Sequence, residues 1–337
     1  MTDPASQQNT PLRRLGLISS GLFLLLGIVF LLALIWGSSG PKPLQVLSTL
    51  LGKDSSVAGT IIWQIRFPRA LLAALVGAAL GLGGLVFQAL LRNPLAEPYI
   101  LGISGGAAVG AILGMILGLS LCPGVAGLAF AGSMATLGLV LFISSGRKTL
   151  QETGLLLAGV MINAFCSSII MFLISIVQTD RLHNVLYWLM GDLSGATTIQ
   201  ALALLGLLLP CFLLVFALAR PMNLLLMGRD TARSLGVRVT ETTLALLTTT
   251  SLMVSATVAL SGLVGFVGLV IPHILRLLLG PDHRVLVPGC LLTGAAFLTG
   301  CDLLARTLPT QGEMPVGVVT ALIGAPAFII LLYRSKA

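Results

Sequence analysis

The stretch 15-LGLISSGLFLLLGIVFLLALIW-36 contains no charged residue from Leu15 to Trp36. About 20 apolar residues in a helix cover the roughly 30 Å of a bilayer's hydrocarbon. The run therefore reads as a membrane-spanning helix. Arg13 and Arg14 stand directly before it, and residues 1–14 read as a polar cytoplasmic tail. A signal peptide begins in a similar way. This apolar run is long, however, and no A-x-A site follows it, so an uncleaved first span is expected.

Outward from this stretch the pattern recurs. Runs of the same kind lie at about 63–89, 98–118, 122–144, 153–177, 197–219, 241–261, 265–279, 286–305 and 315–333, which makes ten expected spans. The eighth is short and opens on Gly262, Gly265 and Gly268, so it is expected to begin as a partial helix. Hydrophobic residues make up 56% of the 337-residue chain and charged residues 9%. A soluble domain is about 25% charged. The chain is thus expected to be an all-α integral membrane protein, with residues 15–337 forming one transmembrane domain.

Lysine and arginine set the expected orientation. With the N-terminus inside, thirteen cations fall on inner segments, and six fall outside: Lys42, Lys53, Arg66, Arg69, Arg181 and Arg306. That asymmetry follows the positive-inside rule and places both termini in the cytoplasm. The net charge of +8 is thereby a topology signal and not a sign of nucleic-acid binding.

Glycine recurs every fourth residue in the third span, at Gly102, Gly106, Gly110, Gly114 and Gly118; Gly77, Gly81 and Gly84 form a shorter series in the second. Such a face suits close helix packing, or a translocation path lined by small groups. Two connectors stand out. The outer one, 178–195, carries Tyr187 and Trp188 and suits a short interfacial helix. The inner one, RPMNLLLMGRDTARSLGVRVTE at 220–241, spaces apolar residues between four arginines and two acids. It reads as two short helices that offer a docking surface.

Several chemistries lack a pattern. The nearest approach to a phosphate loop, Gly146-Arg147-Lys148-Thr149, has no spaced glycines, so the chain is not expected to hydrolyse ATP itself. The five cysteines are scattered and the three histidines do not cluster, which indicates neither a disulfide nor a metal site. Asp302 is the acid placed well inside an apolar run, near the outer end of the ninth span. An ion-coupled secondary transporter usually needs more buried acids than that. It remains the alternative from a different class.

Longer strings point further. Residues 66–106, RFPRALLAALVGAALGLGGLVFQALLRNPLAEPYILGISGGA, are followed by NLLLMGRDTARSLGV at 223–237, GLVGFVGLVIPHILRLLLGPDHR at 262–284 and PVGVVTALIGAP at 315–326. In this order they closely resemble the iron-chelate and cobalamin permease family, the membrane subunits of type II ABC importers. WQIRFPR, RNPLAEP, LLLAGV, RPMN and PHILRL are nearest to its cobalamin branch.

The resemblance implies a homodimer of ten-helix subunits in the inner membrane of a bacterium or archaeon. Two ATPase subunits sit below, carrying ATP and Mg, and a substrate-binding protein docks above. No cofactor is expected on this chain. The implied cargo is a bulky metal chelate, a ferric siderophore first, with cobalamin or heme as alternatives, moved by alternating access. By the same resemblance, Asn223, Gly228, Arg229, Asp230, Ala232, Arg233, Leu235 and Gly236, within the coupling loop 220–240, match the ATPase-coupling motif. Arg66, Arg69 and Arg306 match outer arginines that receive glutamates of the binding protein, a task that suits a planar guanidinium. Asn93, Leu95, Glu152 and Thr153 match the cytoplasmic gate, where Glu152 departs from the small hydroxyl residue expected.

Overall fold

The computed structural model describes residues 4–37, 57–145, 152–309 and 312–335. Lys42, Lys53, Arg147, Lys148 and Lys336, counted in the charge asymmetry, lie outside them. Among the described residues there are only helices, turns and irregular segments, with no strand.

The helices run in the order α1 (Pro4–Ile35), α2 (Val57–Leu90), α3 (Ile103–Ile116), α4 (Ala126–Ser145), α5 (Glu152–Ile176), α6 (Thr179–Leu189), α7 (Thr198–Ala217), α8 (Ala219–Leu226), α9 (Arg229–Ser234), α10 (Val239–Ser261), α11 (Val267–Leu279), α12 (His283–Thr307) and α13 (Val316–Ser335). Seven are long and apolar enough to cross a membrane: α1, α2, α4, α5, α7, α10 and α12. The third, eighth and tenth expected spans appear as shorter apolar helices, Ile103–Ile116, Val267–Leu279 and Val316–Leu331. The helix of the first span also reaches further back than expected, because residues 4–14 continue it.

We call the end that carries α8 and α9 the inner end, following the charge asymmetry. α2 stands at the centre, where 89% of its apolar stretch is buried, against 11% for α1 at the periphery. Glycine makes the central packing possible. A methyl group on Gly77 would collide with the carbonyl of Gly294 on α12, and one on Gly84 with the carbonyl of Gly268. The glycine face of α3 has the same use, since Gly106 and Gly110 lie against the backbone of Gly132 and Leu128 on α4. Of the two readings of that face, the structure supports close packing.

The short helices have a physical cause. Residues 91–102 fold back as turns, with Pro94, Pro98 and Gly102 (φ 78°) interrupting what would otherwise continue as helix. α11 starts beside Gly84 of α2, partway along that helix, and Gln88 donates to the Gly268 carbonyl at 3.3 Å. Two irregular segments therefore meet inside the bundle. Tyr99 donates its hydroxyl to the Val264 carbonyl at 2.9 Å and accepts from the Val264 N–H at 3.1 Å. Non-helical backbone at this depth is tolerated because protein groups satisfy it.

α6 is the short helix expected in the outer connector. His183 and Tyr187 stack with ring centroids 4.2 Å apart. Arg181 donates to the carbonyls of Met115 and Ile116, both at 2.6 Å, and so caps the C-terminus of α3. One arginine that runs against the positive-inside pattern thus has a structural task.

Candidate functional site

Three regions concern function: a polar network at the outer end, the α8–α9 face at the inner end, and an apolar groove between them. At the outer end, Arg66, Arg69 and Arg306 are all buried and directed inward. Arg69 donates from Nε to Oδ1 of Asp302 at 2.8 Å and also pairs with Glu313. Arg306 Nε lies 3.1 Å from the other oxygen of Asp302, an ion pair without hydrogen-bond alignment. The guanidinium of Arg306 also donates to the Ala33 carbonyl at 2.9 Å. Arg66 donates to the carbonyls of Leu34 at 2.9 Å and Ile35 at 2.7 Å. The last carbonyls of α1 are thus capped by two cations, a favourable arrangement at a helix C-terminus.

This network gives Asp302 its place. Its side chain is fully buried. An isolated carboxylate there would be very costly, and the flanking guanidiniums make it tenable. It is a counter-ion that pins α2 to α12. The sequence showed Asp302 and both arginines but not their meeting, and Glu313 drew no notice there.

At the inner end, α8 and α9 form the two expected short helices. Gly228 joins them at φ 116° and Gly236 closes the second at φ 84°. The residues expected to couple to an ATPase fall on two faces. Asp230, Arg233, Leu235 and Gly236 are exposed, and Arg229 is half-buried. Leu226 and Met227 add exposed apolar surface beside them. Ala232 is buried, and so are Met222 and Leu225 on the inward side of α8. Asn223 also turns inward. Its Nδ2 donates to Asp282 Oδ1 at 2.8 Å, and its Oδ1 accepts from the His283 N–H at 2.9 Å and stands 2.7 Å from His283 Nδ1. Asp282 in turn accepts from the Arg284 N–H at 3.0 Å, capping α12, and from the Arg284 guanidinium at 2.8 Å. The Arg284 hydrogen bond holds the Asp282 carboxyl down at about 2.

The gate positions are described in part. Asn93 Oδ1 accepts from the Leu95 N–H at 2.9 Å, a local turn that leaves Leu95 exposed. Glu152 opens α5, and the side chains of Glu152 and Thr153 lie outside the described residues. Sequence reasoning passed over Glu97 in the same loop, whose carboxyl is raised above its ordinary range by burial, with the Phe266 backbone at the start of α11 acting the other way.

The groove has a volume of about 670 Å³ and is lined by Tyr99, Met190, Leu263, Gly265, Ala321 and Ala325 among others. It runs along one face of α13, and its lining carries no charged side chain. A bulky, largely uncharged surface could slide along it.

Comparison with known proteins agrees with this architecture. The family model described as "FecCD transport family" matches residues 25–334. The vitamin B12 import system permease protein BtuC of Klebsiella pneumoniae is 43% identical over 320 residues, 94% of this chain and 93% of that protein. Its counterpart from Escherichia coli is 45% identical over 278 residues, 82% of this chain and 84% of that protein. Among solved structures, a metal-chelate type ABC transporter described in an inward-facing conformation superposes with a TM-score of 0.84 at 34% identity, covering 94% of this chain and 99% of that one. A match over nearly the whole length, in sequence and in helix arrangement, leaves one conclusion: the chain belongs to the FecCD transport family, as a multi-pass membrane permease.

Proposed function

We propose that this chain is the permease subunit of an ABC importer for vitamin B12. Two copies form the translocation path, two ATPase subunits dock on the exposed residues of α8 and α9, and a substrate-binding protein docks at the opposite end. The permease lies in the inner membrane with both termini cytoplasmic. The observation that carries the cargo assignment is the match of over 40% identity, across most of both chains, to permeases named for vitamin B12 import. The expectation from sequence put a ferric siderophore first. The 34% identical metal-chelate type transporter favours that class as the second reading.

Two features support the mechanism. The outward knobs Leu226, Met227 and Leu235, set among Asp230 and Arg233, suit a cleft on a partner, where rim charges guide orientation more than they add affinity. The uncharged groove beside α13 suits a path that holds cargo weakly, leaving selection to the binding protein. Energy enters through the ATPases, because Asp302, the acid in a deep span, is already committed to Arg69 and Arg306. The test is uptake into proteoliposomes that hold this chain with its ATPase and binding protein. ATP-driven accumulation of cyanocobalamin is expected, with far less of a ferric siderophore. The reverse preference would move the cargo to the second reading, and uptake at full rate without ATP would overturn the scheme.

A further inference from the structure

Among the described helices, α12 carries a polar attachment at each end. At its outer end Asp302 binds Arg69 and Arg306, and at its inner end Asp282 and His283 bind Asn223 of α8. About twenty helical residues, roughly 30 Å, separate the two attachments. Between them α12 is locked to α2 by the backbone contacts at Gly77–Gly294 and Gly81–Cys290. α8 itself rests on α2 and α12, and its Met222 and Leu225 are buried.

We infer that Asn223 is a positioning residue that couples α8 to α12: its side-chain amide clamps the coupling helix to the N-terminus of α12, so that movement of α8 drives α12 and the α2–α12 pair as one body. This deepens the proposed function, on whose ATPase partner it rests, and it removes Asn223 from the residues that touch that partner.

The chemistry of the clamp selects asparagine. Asp282 can only accept, so it must face the Nδ2 donor of Asn223, which fixes the amide orientation. Oδ1 of Asn223 then faces two nitrogens of His283, the backbone N–H and Nδ1. Since Oδ1 only accepts, Nδ1 carries a proton; Nε2 is buried without a hydrogen-bond partner among the described residues, which disfavours a second proton and leaves the ring neutral. One side chain thereby offers a donor and an acceptor to two consecutive residues of another helix. Aspartate at 223 would keep the acceptor and lose the donor, setting two carboxylates against each other. Exchanging the pair, as Asn223→Asp with Asp282→Asn, lets the side-chain NH2 at 282 donate to the carboxylate at 223 while the amide oxygen at 282 caps α12, and Arg284 gives up its carboxylate partner.

The test uses these substitutions in the complete transporter, reconstituted with its ATPase and binding protein, with cyanocobalamin as the cargo probe. Uptake and ATP hydrolysis are measured together. Asn223→Asp is expected to raise the ATP consumed per cobalamin about tenfold, within the usual range of coupling between sites. Hydrolysis itself is expected to persist. The exchanged pair should return the ratio to within about threefold of the original, as coupled neighbours do in a double-mutant cycle. A purely packing role would lower both rates together and would not distinguish the exchanged pair from the single variant, and that result overturns the inference.

A second measurement needs no ATPase. In the purified permease, amide exchange at the first turn of α12 should quicken in Asn223→Asp and slow again in the exchanged pair. Unchanged exchange in the single variant removes the clamp. If the clamp behaves as described while wild-type permease fails to couple to any ATPase, the proposed function fails and the clamp does not. Should Asn223→Asp fail to fold, Asn223→Ser carries the same measurements. Serine reaches neither partner, so the same rise in the ratio and in amide exchange is expected, and normal values overturn the inference.

Discussion

The two ends of α12 are held by different physics. At the outer end, fully charged groups meet in a dry site: Arg69, Asp302 and Arg306, with Glu313 at the margin. At the inner end, a half-buried neutral amide bridges Asp282 and a neutral histidine, with Asp282 and Arg284 partly open to water. Separating a buried ion pair leaves charges uncompensated and is very costly, whereas a partly exposed amide can trade its partners for water at about 1 kcal/mol per bond. The outer end is thus an anchor and the inner end a joint. Such a division suits a protein that receives force on one side and must keep a seal on the other.

Breaking the anchor has the largest expected effect. Asp302→Ala leaves Arg69 and Arg306 buried without their shared counter-ion, and about 3–5 kcal/mol of stability should be lost. Thermal unfolding in detergent would show a large drop in Tm. A drop no larger than that of a substitution at an exposed position of α1 such as Leu24→Ala would mean that water reaches the site and that the anchor is weak.

The link between the two ends comes next. Gly294→Leu forces a side chain into the Gly77 carbonyl, and overpacking of this kind costs typically about 1–3 kcal/mol. The same variant should also weaken transport beyond its effect on stability, because α2 and α12 can no longer move as one body. Normal transport at normal expression would separate the joint from the anchor.

A smaller effect tests whether the outer network also serves docking. Arg69 is buried and already paired with Glu313, so a glutamate from a binding protein would have to displace that partner. Glu313→Gln should therefore tighten docking at low salt by a few-fold, on the order of 1 kcal/mol or less. Docking that does not change in the variant would take Arg69 out of the docking set and leave it a purely internal role.

The smallest effect is in pH. Asp282 titrates at about 2 when folded, below the roughly 3.9 of a free aspartate. Its contribution is complete above the unfolded value and is lost as pH falls through about 2. The protection of amides at the start of α12, taken relative to their intrinsic exchange rate at each pH, should be the same at pH 7 and pH 5. Protection lost within that window would show that protonation of His283, and not of Asp282, releases the joint.

Much of this architecture is legible in the amino-acid sequence. Uncharged runs such as 15–36 predict helices, and Gly106 and Gly110 announce a close neighbour, because these signals are local in the chain. The two short helices within 220–241 are legible for the same reason. Residues that act across long separations are not. Arg69 and Asp302 stand 233 positions apart, and no periodicity in either span announces the other. The facing of Asn223 escapes a sequence reading because two neighbouring positions on a short helix can point to opposite sides, and only the seating of Met222 and Leu225 decides which. The break before α3 escapes it because NPLAEPYI sits at the head of an apolar run, and Tyr99 reaches its partner Val264 165 positions away.

The capping of α1 by Arg66 and Arg306 has a consequence for biogenesis. α1 is synthesised before α12, and its terminal carbonyls are the acceptors for a guanidinium 273 residues downstream. A truncation that removes α1 would strip hydrogen-bond acceptors from two interior cations as well as a peripheral helix, so the nascent subunit should be degraded more than its modest packing area suggests.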